Sequence, residues 1–256
     1  MPPGGSFFCT RDTAVADLDC RAVNESVLDR LDEVRAKIAR AAERAGRDPS
    51  AVQVLPVTKG HPADMIRAVA AAGLQVVGEN RVAEAEQKQA LLGGSLGLRW
   101  HMIGHLQRNK AAAAAALFDV IESVDSLRLA QRLSAMAERL EREDLEILVQ
   151  VNTSGEGAKS GLIDAQAVDE VAEICSLPGL RVVGLMTMAP FTSDEAWLRS
   201  TFGRARELFE ECGTRIGGFS RQVLSMGMSN DFELAVEHGS TRVRLGTVLL
   251  GKRPDQ

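Results

Sequence analysis

Short apolar runs alternate along the chain with longer segments in which apolar residues recur every three or four positions. The longer segments, such as PADMIRAVAAAG and SLRLAQRLSAMAERLERE, predict amphipathic helices. This alternation favours parallel strands joined by helical crossovers, and eight units at this length predict a single (β/α)8 TIM barrel of the α/β class. The short runs predict strands at residues 52–58, 74–78, 99–103, 119–123, 145–151, 181–187, 221–226 and 242–246.

Two features precede the first predicted strand. Residues 1–22 contain Pro, Gly and Ser early and show no lasting period, which predicts a poorly ordered leader. From Asn24, a helix-capping residue, apolar residues recur at three and four positions until Gly46. The sequence therefore predicts an extra N-terminal helix in front of the barrel, in one domain that spans residues 23–253.

Composition limits the class of protein. The chain has 256 residues, of which 45% are hydrophobic, and a formal net charge of -5, so it has no overall attraction for nucleic acid or anionic membranes. Four cysteines without a CxxC pair suit free thiols in a reducing cytoplasm. The N-terminus lacks a signal-peptide pattern, and no stretch of about 18 apolar residues occurs. We therefore expect a cytoplasmic protein in which any anion site is local.

Polar residues follow the predicted strands where each strand ends. In a parallel barrel these carboxyl ends form the face that carries active sites. The loops after the last two strands of a barrel often bind phosphate, since glycine admits the ligand to the backbone and helix N-termini favour anions. Here those loops read SMGMSND and RLGT, and they predict a phosphate site that involves Ser225, Ser229, Arg244, Gly246 and Thr247.

Lys59 stands directly after the first predicted strand, in VLPVTKGHP. A lysine at a strand end is often a surface residue, but the first strand of a barrel delivers its end into the central mouth. A lysine desolvated there has a lowered pKa and can form a Schiff base. An amine together with a phosphate site suggests pyridoxal phosphate or a phosphorylated sugar as the ligand.

The histidines give weaker signals. His101 and His105 are four positions apart, but they lie at a strand end rather than on one helix face, so a zinc pair is disfavoured and no metal site is predicted. His61 is close to Lys59 and is interpreted as a solvated loop histidine, with tuning of the lysine as the alternative.

Six segments in order carry a family resemblance: VLPVTKGHPADMIRAVAAAG, VVGENRVAEAEQK, WHMIGHLQRNK, VNTSGEGAKSGL, GLMTMAP and LSMGMSNDFELAVEHGSTRVRLGTVLLGKR. Together they resemble the pyridoxal phosphate homeostasis protein family, also called the YggS or PROSC family, over residues 24–253. The sequence departs from the family where many members read GENYVQE, since Arg81 follows Asn80 here. The leader has no recognised counterpart.

The resemblance implies a single barrel like the N-terminal domain of alanine racemase, with pyridoxal 5'-phosphate in a covalent aldimine with Lys59. It implies that Arg244 faces the pyridine nitrogen and that Asn80 lies near the ring. Phosphate contacts map to Ser225, Met226, Ser229, Gly246 and Thr247. Such proteins are regarded as lacking robust catalysis and as acting in vitamin B6 and amino-acid homeostasis, with PLP-dependent apoenzymes as the partners that a carrier role would imply.

The residues also speak against catalysis. The alternative function is that of a fold-type III enzyme such as an amino-acid racemase, which needs a second base, a tyrosine in alanine racemases, yet the chain contains no tyrosine. The sequence ends soon after the eighth strand, which leaves no room for a second domain and favours a monomer. An arginine at the pyridine nitrogen cannot keep that nitrogen protonated, so the ring would be a weak electron sink. A Schiff-base aldolase for a phosphorylated sugar is disfavoured by the family motifs.

Overall fold

The computed structural model describes residues 12–94, 96–157 and 160–253, with side chains from residue 23 onward. All eight predicted strands are present in one parallel sheet, and a two-residue strand, β6, is added beside β5. The strands are β1 (Gln53–Pro56), β2 (Val76–Glu79), β3 (Arg99–Met102), β4 (Val120–Val124), β5 (Leu145–Asn152), β6 (Leu162–Ile163), β7 (Leu180–Met186), β8 (Val223–Ser225) and β9 (Arg242–Leu245).

The sheet is a nearly closed barrel. Its strand order is β1-β9-β8-β7-β5-β4-β3-β2, so β1 and β2 are the two ends of the path. A single parallel bridge between Val57 and Gly78 joins them, and the Thr58 N–H donates to the Gly78 carbonyl at 3.0 Å. The eight strands thereby place their carboxyl ends around one mouth, as the strand and helix alternation predicts.

Helices surround the barrel and cover its outer face. Two of them begin at side-chain caps: Ser126 accepts from the Leu129 N–H, and Asp194 accepts from the Trp197 N–H. Each covers the sheet with a buried apolar stripe. The helices are α1 (Asp12–Arg44), α2 (Ala63–Ala71), α3 (Val82–Leu92), α4 (Ala111–Leu117), α5 (Leu127–Arg139), α6 (Ala167–Cys175), α7 (Glu195–Arg215), α8 (Phe232–Glu237) and α9 (Thr247–Leu250).

Helix α1 is longer than the sequence pattern predicts. It begins at Asp12 rather than at Asn24, which lies inside the helix, and Gly46 follows its end with a φ of 63°. Residues such as Val27 and Leu31 are fully buried, so the apolar period marks where the helix packs and not where it begins. Of the predicted leader, residues 1–11 lie outside the described part of the chain, and its poor order stays a prediction.

The barrel interior combines one small apolar cluster with a polar network. Leu148, Val183 and Met186 form the cluster, while most of the larger apolar side chains lie between sheet and helices. In the interior, Glu122 of β4 contacts Arg242 of β9, although these strands are not neighbours in the sheet. The network therefore crosses the barrel below its mouth. Within the described ranges, no helix has the length and apolar character needed to span a membrane.

Candidate functional site

A cavity of about 330 Å³ opens at the carboxyl ends of the strands. It lies where the sequence places the candidate site, because its walls come from the loops after β1, β2, β3, β7, β8 and β9. Of the eight predicted site residues, the six that line it are Lys59, Asn80, Ser229, Arg244, Gly246 and Thr247. Ser225 and Met226 are fully buried and lie outside this lining.

The strand end that precedes Lys59 is held by a buried ionic cluster. Glu79 is fully buried, and its Oε1 accepts from the Thr58 hydroxyl at 2.6 Å and from the Lys88 ammonium at 2.7 Å. The same ammonium donates to the Thr58 carbonyl at 2.7 Å. Burial raises the pKa of Glu79, and these hydrogen bonds oppose that rise. Because β1, β2 and α3 all meet in this cluster, the backbone before Lys59 has little freedom.

The turn after Lys59 is fixed in a similar way. The Gly60 N–H donates to Glu84 Oε1 at 2.6 Å, and Gly60 has a φ of 71°, which is accessible to glycine at no steric cost. The Arg253 side chain lies over this glycine, since a Cβ there would stand 2.9 Å from Arg253 Cδ. Arg253 thereby brings a second cation to the rim of the cavity.

Lys59 itself is half-buried, and its ammonium has no hydrogen-bond or ion-pair partner among the described residues. Burial lowers the pKa of Lys59, and the positive charges of Arg253 and Arg244 lower it further, whereas Glu79 and Glu84 act in the opposite direction. A lysine in this state is a better nucleophile at neutral pH than a solvated one. The amine is therefore available to an electrophile in the cavity.

Arg244 forms part of the cavity wall and is only 4% exposed. Its Nη1 donates to the carbonyl and to the hydroxyl of Ser225, and its Nη2 donates to the Thr187 carbonyl, all at 2.8 Å. No described residue accepts from its Nε. Burial lowers the pKa of Arg244, with Glu122 as the main opposing charge. The guanidinium is thus anchored through its terminal nitrogens by the strand ends.

Beneath Arg244, Ser225 links it to a buried carboxylate. The Ser225 hydroxyl donates to Glu122 Oε2 at 2.7 Å, and Glu122 Oε1 accepts from Arg242 at 2.8 Å and lies 2.7 Å from His101 Nδ1. The Arg242 charge and the His101 contact hold the pKa of Glu122 far below its ordinary value against the effect of burial. Both acceptor and donor capacities of Ser225 are therefore engaged inside the barrel.

The loops after β8 and β9 present free backbone donors to the cavity. The N–H groups of Ser229, Asn230, Gly246 and Thr247 donate to no described residue, and all four residues line the cavity. The Ser229 hydroxyl also accepts weakly from the Val248 N–H at 3.4 Å. Unpaired N–H groups and a hydroxyl on residues that line one space favour an anion.

Several lining residues were not predicted as site residues. His105, with its Nδ1 3.0 Å from Asp125 Oδ2, and Arg253 line the cavity, as do Met188 and Phe191 of the loop after β7. Met188 lies in the motif GLMTMAP and Phe191 directly follows it. Neither residue was predicted, because an apolar side chain in a loop does not by itself indicate a binding role. Arg253 stands in the quoted segment TVLLGKR.

The structure bears on the interpretation of His61 and on the expectation that no metal site is present. His61 is 5% exposed, so its interpretation as a solvated loop histidine is wrong; burial lowers its pKa, as do the charges of Lys88 and Arg253. The Thr58 carbonyl accepts from the His61 N–H at 3.0 Å, which draws the loop inward. No group of three or more possible metal ligands occurs among the residues that the structure describes.

Known proteins are similar to this chain over most of its length. A family model described as "Alanine racemase, N-terminal domain" matches residues 30–254. The pyridoxal phosphate homeostasis protein of Pseudomonas aeruginosa is 40% identical over 228 residues, which cover 89% of this chain and 96% of that protein. The protein of the same name from Escherichia coli K12 is 38% identical over 233 residues, which cover 87% and 95%.

Solved structures extend the comparison. PipY of Synechococcus elongatus PCC7942, solved with PLP bound, is 37% identical, with a TM-score of 0.78 over 88% of this chain and 100% of that chain. Alanine racemase of Clostridium difficile 630 is 14% identical, with a TM-score of 0.67 over 86% of this chain and 57% of that chain. The second likeness concerns the fold alone.

Proposed function

The chain belongs to the pyridoxal phosphate homeostasis protein family, and on this premise we propose that it binds pyridoxal phosphate in the cavity at the barrel mouth. The observation that carries the proposal is that the Lys59 amine and the N–H groups after β8 and β9, which have no partner among the described residues, belong to one cavity. A ligand that has both an aldehyde and a phosphate satisfies both features. PipY, a relative solved with PLP bound, supports the choice.

The residues present fit this cofactor. The cavity volume of about 330 Å³ lies within the range of small-molecule sites, about 300–1,000 Å³. We assign the phosphate to the N–H groups of Gly246 and Thr247 and to the Ser229 hydroxyl, and the aldehyde to Lys59 in a covalent imine. Asn80 lines the same cavity, and we assign it to the side of the pyridine ring.

Arg244 faces the pyridine nitrogen in this proposal. Its Nη atoms are committed to Ser225 and Thr187, whereas its Nε donates to no described residue and is the donor that we assign to the ligand. A protonated pyridine nitrogen needs a hydrogen-bond acceptor, and a guanidinium offers only donors. Arg244 therefore favours the unprotonated nitrogen. When bound, the cofactor supplies electron-sink chemistry in enzymes, and this arrangement weakens it. We infer that the protein holds the cofactor for vitamin B6 and amino-acid homeostasis without robust catalysis.

The alternative is a racemase-like enzyme, and His105 is the observation that favours it. His105 is a second basic group that lines the cavity, but its Nδ1 is engaged by Asp125, and the chain contains no tyrosine. A racemase exchanges the α-hydrogen of its amino acid with solvent. Exchange in heavy water, followed by NMR for a panel of amino acids, should therefore proceed no faster than with free cofactor, and a rate far above that level would establish the enzyme.

Binding is tested by adding pyridoxal phosphate to the purified chain and recording its absorption spectrum. We expect a yellow protein with an imine band at one equivalent of cofactor, and a Lys59→Ala variant that lacks the band. Lys110→Ala, at an exposed position outside the cavity lining, is the matched control and should retain it. A band of full intensity in Lys59→Ala would remove Lys59 from the proposal.

In the cytoplasm, this function has two forms. A carrier delivers the cofactor to apoenzymes, which are then its partners, whereas a buffer only binds and releases free cofactor. Transfer from the loaded chain to an apoenzyme can be measured with and without a phosphatase that destroys free cofactor. Transfer that survives the phosphatase supports delivery by direct contact, whereas transfer that the phosphatase abolishes supports buffering through free cofactor.

A further inference from the structure

A second and larger concavity, about 1040 Å³, lies beside the cofactor cavity. It is formed by the loop after β3 and the first turns of α5, and His105 belongs to the lining of both concavities. We call it the arginine groove, because Arg108, Arg128 and Arg132 line it. None of the functions assigned above uses it.

The three arginines of the groove have no partners within the part of the chain that the structure describes. All are exposed, and none makes an ion pair or a side-chain hydrogen bond with a described residue. The carboxylate in the groove, Asp125, is 12% exposed and is already engaged by His105. Most other arginines of helices in this chain do have carboxylate partners; Arg199, for example, bonds Glu195 and Glu237. The groove therefore sets three arginines against one carboxylate and carries a net positive charge in a chain of net charge -5.

The position of Arg128 is electrostatically unfavourable. It is the second residue of α5, and the first turn of that helix contains no acidic residue. The N-terminal end of a helix carries a partial positive charge that favours anions, so a cation there raises the energy of the free protein. Arg132 lies one turn further along the same helix and adds to the repulsion. A bound anion would relieve this repulsion, and departures from local rules of this kind concentrate at functional sites.

The rest of the surface indicates what kind of anion fits. The groove lining contains no Phe, Tyr or Trp, so it lacks the large aromatic side chains on which the bases of single-stranded nucleic acid stack. Its volume and its three separate arginines exceed what one phosphate ion would occupy. Across the cofactor mouth stand Phe191, 94% exposed, and Met188, 36% exposed. Arginine, phenylalanine and methionine are residue types enriched at protein interfaces.

We propose that the arginine groove docks an acidic segment of a partner protein, which is thereby placed over the mouth of the cofactor cavity. The inference deepens the proposed function, because a protein docked there is positioned to receive the cofactor directly. Electrostatic attraction of this kind raises association rates and weakens with salt.

The test measures binding of a fluorescent peptide of repeating Glu-Glu-Leu triplets to the full-length chain by anisotropy. The groove variant is Arg128→Glu with Arg132→Glu, in which a first-turn acid suits the helix dipole, so the fold should be kept. The matched control is Arg40→Glu with Arg139→Glu, at exposed positions outside the groove. We expect the groove variant to bind about tenfold more weakly and the control to bind as the parent does.

Salt dependence, an uncharged peptide and competing anions test whether binding depends on the charge of the groove. Binding should fall between about 50 and about 300 mM salt, since exposed charges are screened over that range. A peptide of Gln-Gln-Leu triplets should not bind. Equal weakening in both variants, equal binding of the two peptides, displacement by millimolar inorganic phosphate, or tighter binding of polyuridylate would each overturn the proposal. The imine band recorded on the same samples reports cofactor binding separately, so failure of docking is distinguishable from failure of the proposed function.

Discussion

The residues around Lys59 fix its backbone and leave its amine accessible. Its backbone is held on one side by the Glu79–Lys88 pair and on the other by the bond from Gly60 to Glu84, while its amine has no partner among the residues described. The sequence indicates this residue through its place after a strand. It does not indicate the buried pair, because Lys88 lies nine positions beyond Glu79 on a helix that reads as amphipathic.

The lowered pKa of Lys59 predicts the pH dependence of imine formation. The neutral amine reacts, and its fraction grows as pH rises through the pKa of the folded protein. Because burial and Arg253 lower that pKa, the imine band should appear at a lower pH than for a solvated lysine. Replacing the nearer cation, in Arg253→Met, should move the midpoint upward. Absorbance titrations of both proteins check this, and an unchanged midpoint would show that Arg253 does not act on Lys59.

Ser225 and Ser229 should behave differently although both were predicted as phosphate contacts. Ser225→Ala leaves Glu122 Oε2 and Arg244 each short of a partner, which should cost about 1–3 kcal/mol of unfolding free energy. Ser229→Ala should leave stability unchanged and weaken cofactor binding, since Ser229 lines the cavity. Urea unfolding and cofactor titration of the two variants distinguish the roles. If Ser225→Ala instead weakened cofactor binding without lowering stability, Ser225 would be a phosphate contact as the sequence predicts.

Sequence reasoning located the strand ends but not the depth of each side chain. Successive residues of a strand point to opposite faces of the sheet, so a shift of one position decides whether a side chain faces the barrel interior or the helices. Ser225 and Ser229 stand in one motif, yet one is fully buried and the other lines the cavity. The interior network of Glu122, His101 and Arg242 joins strands that are distant in sequence, and no local pattern predicts such contacts.

At the scale of elements, the alternation of short apolar runs with longer segments of helical period predicts the barrel correctly. All eight strands lie where the runs place them, because the face of each buried parallel strand that packs against the helices is apolar. Strand β6 was missed because two residues cannot show a period. The start of α1 was missed because Asn24 fits both a helix cap and a helix interior.

The close approach of β7 and β8 gives an element-scale prediction. A Cβ on Gly184 would stand 1.7 Å from the Val223 carbonyl oxygen, and the register of β7 with β5 shifts beside this position. Gly184→Ala should therefore lower the unfolding free energy by at least about 3 kcal/mol, because backbone must move to admit the methyl group. Gly217→Ala, where nothing lies within 4 Å, is the control and should be nearly neutral. Chemical denaturation checks both, and similar midpoints would contradict the packing argument.

At the scale of the whole molecule, the surface predicts a monomer. The large exposed apolar residues of the described chain are spread over separate elements, among them Leu91 on α3, Ile163 on β6 and Phe191 before α7. Scattered residues of this kind do not form the extended apolar patch of a stable dimer. Sedimentation should give a mass near 27.5 kDa with and without cofactor, and a dimer stable at micromolar concentration would contradict this reading.

The whole fold also explains why residues that are distant in sequence line one cavity. Eight strand ends meet at one mouth, so an amine from the first strand and anion donors from the last two loops face one cavity despite their distance in sequence. Sequence reasoning foresaw this convergence because parallel barrels impose it. It did not foresee the adjoining arginine groove, since an unpaired arginine and a paired one look alike in a sequence.

The central claim, that Lys59 holds pyridoxal phosphate at this mouth, is tested most directly by reduction and peptide mapping. The loaded chain is treated with borohydride, digested, and analysed by mass spectrometry for the lysine that carries the reduced cofactor. The account predicts one modified peptide, which contains Lys59, at close to one equivalent, and none in Lys59→Ala. Modification spread over exposed lysines such as Lys110, or persisting in Lys59→Ala at the same level, would contradict it.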